Sequence, residues 1–145
     1  MEIATIGFTQ STAEHFFERL RAAGVRRVLD VRIHNTSQLA GFAKAGDLAY
    51  FARVIAGAFY EHDTRLSPTA EMVSTYRAGR QPWEWFEAQF VDLMKARDIP
   101  TILDRRPFED RKTVLVCSEP GPERCHRRLV AELLQEAWEA EVEHL

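Results

Sequence analysis

The sequence predicts an α/β fold, a single three-layer domain in which a mostly parallel sheet of short strands carries helices on both faces. Three observations predict it. Short apolar, β-branched runs such as Thr113-Val-Leu-Val-Cys117 alternate along the chain with longer segments whose apolar residues recur at helical spacing. These runs are apolar throughout, as strands covered on both faces are. Glycines and prolines punctuate the boundaries between the two kinds of segment.

Taken in order, Glu2-Ile-Ala-Thr-Ile-Gly7 reads as the first strand. Ser11 with Glu14 three residues on forms a capping box for a helix through Phe16, Phe17 and Leu20, which Gly24 ends. Arg27-Val-Leu-Asp-Val-Arg32 is a second buried strand, with Asp30 and Arg32 near its C-terminal end. A polar loop runs from His34 to Gly46. Asp47 then caps a helix through Leu48, Phe51, Val54 and Ile55, and Gly57 closes it before a short strand at Phe59-Tyr60-Glu61. Thr69 caps a helix from Met72 to Arg77. Pro82 opens a longer one from Trp83 to about Ala96, whose stripe of Trp83, Phe86, Phe90 and Leu93/Met94 reads as core. Asp98 to Lys112 stays open, since Thr101-Ile-Leu-Asp-Arg has helical character while Pro100 and Pro107 interrupt it. After the strand ending at Cys117, a helix from about Glu123 carries Leu129, Val130, Leu133, Leu134 and Ala137 on one face. Glu141-Val-Glu-His-Leu145 alternates as a final edge strand.

With 145 residues, 46% of them hydrophobic, the chain has enough apolar matter for one domain with a sizeable core, spanning 1–145. A formal charge of −3 creates no field that would draw a nucleic acid, so such a partner is not favoured, although a local basic patch could still act. The start of the chain reads as an immediate strand rather than a leader, and no apolar run reaches membrane-spanning length. A cytoplasmic protein with no membrane partner is expected. In a reducing compartment Cys117 and Cys125 are free thiols, ligands or a transient redox pair rather than a structural staple. Nothing in the sequence demands a cofactor or decides the oligomeric state; Trp83 and Trp85 could serve a dimer contact or anchor their helix.

Chemistry concentrates in one stretch, Cys117-Ser-Glu-Pro-Gly-Pro-Glu-Arg-Cys125-His126-Arg127-Arg128, which places two thiols, an imidazole and three guanidinium groups around a strand-to-helix turn. Pro120, Gly121 and Pro122 force the chain to turn after the strand. Cys125 and His126 then fall in the expected first helical turn, where unpaired amides lower a thiol pKa and attract an anion. Arginines at successive helical positions cannot all face one pocket. In parallel sheets ligands bind beyond the carboxyl ends of the strands. That rule gathers Thr9, Asp30, Arg32, Cys117, Glu119, Cys125 and His126 into one crevice if their strands are neighbours.

The combination of Thr5-Ile-Gly7, Asp30-Val-Arg32 with Ser37 and Phe42 downstream, Leu66, and Cys117-x-Glu119 leading to Cys125-His126-Arg127 resembles the DUF488 family over nearly the whole chain. The Cys-x-Glu…Cys-His-Arg element is its specific part. The resemblance implies a compact α/β domain with the shared motif residues around one crevice, Ser37 among them, but supplies no established reaction. This chain continues the first motif as Phe8-Thr9, where many members carry His-Ser or Tyr-Gly. It also lacks the proline common after Arg32.

Each candidate has two readings. Cys117 is a small apolar strand end or a working thiol. Cys125 is a thiolate or a buried packing residue. His126 is a general acid/base or a donor to a backbone carbonyl. Asp30 and Arg32 serve the site or pair to finish a strand, and Glu119 orients His126 or caps helix amides. His15, His34, His62 and His144 lack ligand spacing and read as surface or structural residues.

The first expectation is an enzyme for a phosphate-bearing or other anionic, nucleotide-like small substrate. Catalytic candidates are Cys125 as nucleophile with His126, Asp30 and Cys117; Thr9, Arg32, Ser37, Glu119 and Arg127 would bind substrate. The loop is not that of the thiol phosphatases, because Glu123 stands six residues after Cys117 and Arg124 comes one later. Alternatives are a thiol redox enzyme or sensor using Cys117/Cys125, a non-catalytic module for a nucleotide or nucleic-acid end, and a Cys2His zinc site still needing a further ligand.

Overall fold

Successive strand residues point to opposite faces of a sheet, and in the central strands of this chain both sets are largely buried. The computed structural model describes residues 1–36 and 40–145; Ser37 lies outside the described residues. Its elements are β1 (Glu2–Gly7), α1 (Ala13–Ala22), β2 (Arg27–Asp30), α2 (Ala45–Phe51), β3 (Phe59–His62), α3 (Ala70–Arg77), α4 (Trp83–Ala96), α5 (Arg106–Asp110), β4 (Thr113–Cys117), α6 (His126–Trp138) and β5 (Glu141–His144). Among the described residues the strands form one five-stranded sheet in the order β3-β2-β4-β1-β5, every pairing parallel. Ile3, Leu29, Leu115 and Cys117 join one core with Phe86, Phe90 and Met94 of α4 and Leu129, Val130 and Leu134 of α6. Ala4, Ile6, Val28, Val114 and Val116 face the other way, against Phe16, Phe17 and Leu20 of α1 and Leu48 of α2. The architecture is therefore the expected three-layer α/β arrangement.

The site follows from the direction of the connections. β1 and β2 lead into α1 and α2 on one face, whereas β3 and β4 lead into helices on the other. β1 and β4 are neighbours, in register at Gly7 and Cys117. β2 and β4 are neighbours as well, and their chains leave the sheet toward opposite faces, which opens a crevice beside their carboxyl ends.

Local chemistry moves several boundaries. Thr12, not Ser11, caps α1, its hydroxyl accepting the His15 N–H at 3.1 Å, while the Ser11 hydroxyl donates to the Thr12 carbonyl. Asp47 does not cap α2; the helix starts at Ala45, and Asp47 sits in its first turn, where a carboxylate suits the exposed amides. α2 runs into a π-helical turn, Ala52–Ala56, which Gly57 ends at φ 64°. β2 stops at Asp30 because its carboxylate takes the Arg32 N–H at 3.1 Å and bends the chain away. Residues 101–105 are turns, and the helix of this region is α5, with Pro107 in its first turn, where a missing N–H costs nothing. α6 starts at His126 rather than near Glu123, leaving Cys125 as its N-cap residue. No helix among the described residues is long and apolar enough to cross a membrane.

Candidate functional site

A cavity of about 360 Å³ opens where β2 and β4 end, closed on its outer side by α3 and the start of α4. Cys117, Cys125, His126 and Arg32 all border it. β4 delivers Cys117 at its last position, and the turn through Pro120 and Pro122 returns the chain so that α6 begins beside that thiol.

His126 holds the arrangement together. Its Nε2 lies 2.7 Å from the Val31 carbonyl, which only accepts, so Nε2 carries a proton. Nδ1 is left facing the Cys117 Sγ at 3.7 Å. One ring nitrogen thus anchors the imidazole to β2, as the carbonyl-donor reading expected, and the other is left beside the thiol. Burial alone would lower the His126 pKa, but the charge and hydrogen bond of Cys117, with the Val31 carbonyl, raise it.

The two thiols are not equivalent. Both are free and buried, 6% and 2% exposed for Cys117 and Cys125. A hydrogen bond from the Cys125 thiol, followed by the charge and hydrogen bond of His126 and the charge of Arg127, holds Cys117 well below the ordinary thiol range against the opposing effect of burial. Cys125 is pushed well above that range by burial and by the neighbouring Cys117. This reverses the expectation of a thiolate at Cys125. The helix starts about three residues later than the sequence suggested, so Cys125 sits at the cap rather than inside the first turn, and burial with the neighbouring Cys117 outweighs the lowering effect of the Arg127 charge and amide.

Asp30 and Arg32 form a buried pair at 0% and 4% exposure. The Asp30 carboxylate accepts from Arg32 Nε at 2.8 Å, Arg32 Nη2 at 2.7 Å and the Tyr60 hydroxyl at 2.6 Å. Arg32 Nη2 also donates to the Ala43 carbonyl at 2.7 Å, while Nη1 is buried without a partner. Burial would lower the Arg32 pKa, but Asp30, with smaller contributions from Tyr60 and Cys117, raises it. Arg32 borders the cavity, whereas Asp30 stands behind it.

The other expected residues are distributed differently. Glu119 borders the cavity, but its carboxylate is exposed and both nitrogens of His126 are already engaged by Cys117 and Val31, so it does not orient the imidazole. Its carbonyl accepts from Arg127 Nη1 at 2.6 Å. Arg127 is 1% exposed and does not border the cavity; it braces the 118–120 turn from behind, with Nε unpartnered. Gly7 makes that turn possible, since a Cβ there would lie 1.6 Å from the Glu119 oxygen. Thr9 is exposed and outside the cavity, because β1 leaves the sheet toward α1 on the opposite face.

Sequence reasoning missed the opposite wall. Val73, Tyr76, Trp83 and Phe86 line it, with Arg77 and Arg124. Phe86 was read as core, and Trp83 as core, helix anchor or dimer contact, because a helical stripe does not show that its first turn overhangs a crevice. His62 bonds the Arg32 carbonyl at 2.7 Å through Nε2, and Ser67 donates to the same oxygen at 3.0 Å. The register of β3 with β2, Asp30 opposite His62, is the signal that could have found it.

Cys117, Cys125 and His126 could also hold a metal, since their sulfurs and one imidazole nitrogen all lie within 4.8 Å of one another. Donation of Nε2–H to a carbonyl is the support that a metal-bound imidazole usually has, and three such donors leave a fourth position for water or substrate.

No curated protein and no solved structure gives a significant match to the chain. The family model for a domain of unknown function, DUF488, matches residues 12–134 of the 145, a span from the cap of α1 to the middle of α6 that holds every group bordering the cavity, and the chain belongs to that family.

Proposed function

We propose that the chain is an enzyme for an anionic small substrate, with Cys117 as the nucleophile, His126 as its proton acceptor and donor, and Arg32 as the fixed cation. One observation supports this above the others. The Cys117 Sγ faces His126 Nδ1 at 3.7 Å, the far side of the ring is held by Val31, and beside them stands a guanidinium with an unpartnered Nη1.

Nδ1 takes the Cys117 proton, and the thiolate forms a bond to the electrophilic atom of the substrate. The bond to the leaving group breaks, and that group departs with the electron pair and the proton from Nδ1. Water then displaces the enzyme sulfur, giving one proton back to Cys117 through Nδ1. Cys125 donates its S–H to the attacking thiolate, and Asp30 acts as a positioning residue through Arg32. The nucleophile is thus Cys117 rather than Cys125.

Alkylation with iodoacetamide, followed at each thiol by mass spectrometry across pH with and without phosphate, tests this. Cys117 should react rapidly below the ordinary thiol midpoint of about 8.5 and be protected by the anion, while Cys125 stays slow. Slow reaction of Cys117 with an ordinary midpoint would sink the assignment.

A second reading, a reversible redox pair, is favoured by the approach of the two sulfurs to within 4.8 Å. Concerted loss of both thiols under mild oxidation, reversed by dithiothreitol, would support it.

A further inference from the structure

We propose that the cavity takes a two-part ligand, an anionic group joined to a flat aromatic ring of the aryl-phosphate or nucleotide kind, with Trp83 and Tyr76 as the ring platform. This rests on the anionic-substrate assignment and names its substrate class.

The floor and the outer wall differ in chemistry. At the floor, Arg32 has a buried Nη1 with no protein acceptor. Arg77 and Arg124 also border the cavity, and neither has an ion pair among the described residues, whereas seven of the chain's other fourteen arginines have one. Two guanidinium groups without an acid partner, beside a third with one nitrogen left unpartnered, suit a carboxylate or phosphate.

The outer wall is aromatic and rigid. Trp83 stacks on Phe86 with centroids 5.2 Å apart and planes 19° from parallel, and Tyr76 meets Trp83 edge-on at 5.8 Å. Trp83 Nε1 donates to Glu87 Oε2 at 2.9 Å, and Arg128 Nη2 holds the same oxygen at 3.3 Å. The indole is therefore fixed from behind by a second helix. Phe86 and Phe90, further along the same stripe, are fully packed, whereas Trp83 and Tyr76 keep part of their surface open at the cavity. A purely anionic ligand would leave that surface wet. A ring laid on it is stabilised by stacking without new ordering of the protein. The volume, about 360 Å³, is near the lower end of small-molecule sites and too small for a folded partner.

Calorimetric titration of the intact protein with inorganic phosphate, glycerol phosphate, phenyl phosphate and adenosine monophosphate tests the proposal. Phenyl phosphate should bind about tenfold or more tighter than glycerol phosphate, in line with aromatic stacking on protein side chains. Adenosine monophosphate tighter than phenyl phosphate would identify the nucleotide class, and the reverse order the simple aryl class. W83L should bring phenyl phosphate down to the glycerol phosphate level and leave inorganic phosphate unchanged. W83F should retain most of the preference, and melting curves of both variants show that the fold persists. Equal binding of phenyl and glycerol phosphates, with anion protection of Cys117 intact, overturns the ring platform alone. Absence of binding by every compound, with no protection of Cys117, overturns the anionic-substrate assignment as well.

Discussion

Asp30→Asn separates a structural ion pair from a cation held in place for the site. Asp30 is fully buried and accepts four hydrogen bonds, from the Arg32 N–H at 3.1 Å, Arg32 Nε at 2.8 Å, Arg32 Nη2 at 2.7 Å and the Tyr60 hydroxyl at 2.6 Å. An asparagine oxygen at the Oδ1 position keeps the first two. Its NH2 then meets two donors, Arg32 Nη2 and the Tyr60 hydroxyl, and Arg32 becomes a buried charge without its hydrogen-bonded carboxylate. Leaving one member of a buried pair uncompensated costs about 3–5 kcal/mol. For a chain of this length that is roughly a 10–20 °C fall in melting temperature. The double variant Asp30→Leu/Arg32→Met removes both charges, and apolar replacement of a buried pair is close to neutral, so its melting temperature should return most of the way. It should still lose phosphate binding, because the floor cation is gone. Calorimetric melting and phosphate titration of the three proteins are the assays. A fall of under about 3 °C in Asp30→Asn, or a double variant as unstable as the single one, would refute the reasoning.

Gly7→Ala places a methyl 1.6 Å from the Glu119 oxygen; the 118–120 turn must retreat, at about 1–3 kcal/mol or more, and an unchanged melting temperature would show that the close approach is not needed. Cys125→Ala removes the donor that contributes most to lowering Cys117, and His126→Gln removes the imidazole behind it. Both should move the midpoint of Cys117 alkylation up toward the ordinary value of about 8.5, slowing the reaction at pH 7; an unmoved midpoint in both would contradict the described geometry. Diamide treatment should join Cys117 to Cys125, whose sulfurs need only close from within 4.8 Å; a peptide map with both thiols intact would exclude the pair as a redox couple.

The α/β class and the parallel sheet were legible because strand and helix periods are local properties of residue type. Val28-Leu29 and Val114–Val116 read as strands, and the stripe through Leu129, Val130 and Leu134 as a helix, before any contact is known. The thiol-imidazole stretch was legible as a place of chemistry for the same reason, its residues being near neighbours in the chain. What each does was not. Cys117 is the thiol held low because the Cys125 sulfur, 8 positions on by number, returns beside it across the turn, and because Val31, 95 positions from His126, takes Nε2. Thr9 lies outside the cavity because of the direction in which β1 leaves the sheet, and Arg127 because of the face of α6 on which it lies. Tyr76, Trp83 and Arg77 joined the cavity through the docking of α3 and α4. Residue type is written in the sequence itself; solvation, donor partners and wall membership depend on which distant segments meet, and only the tertiary structure decided those.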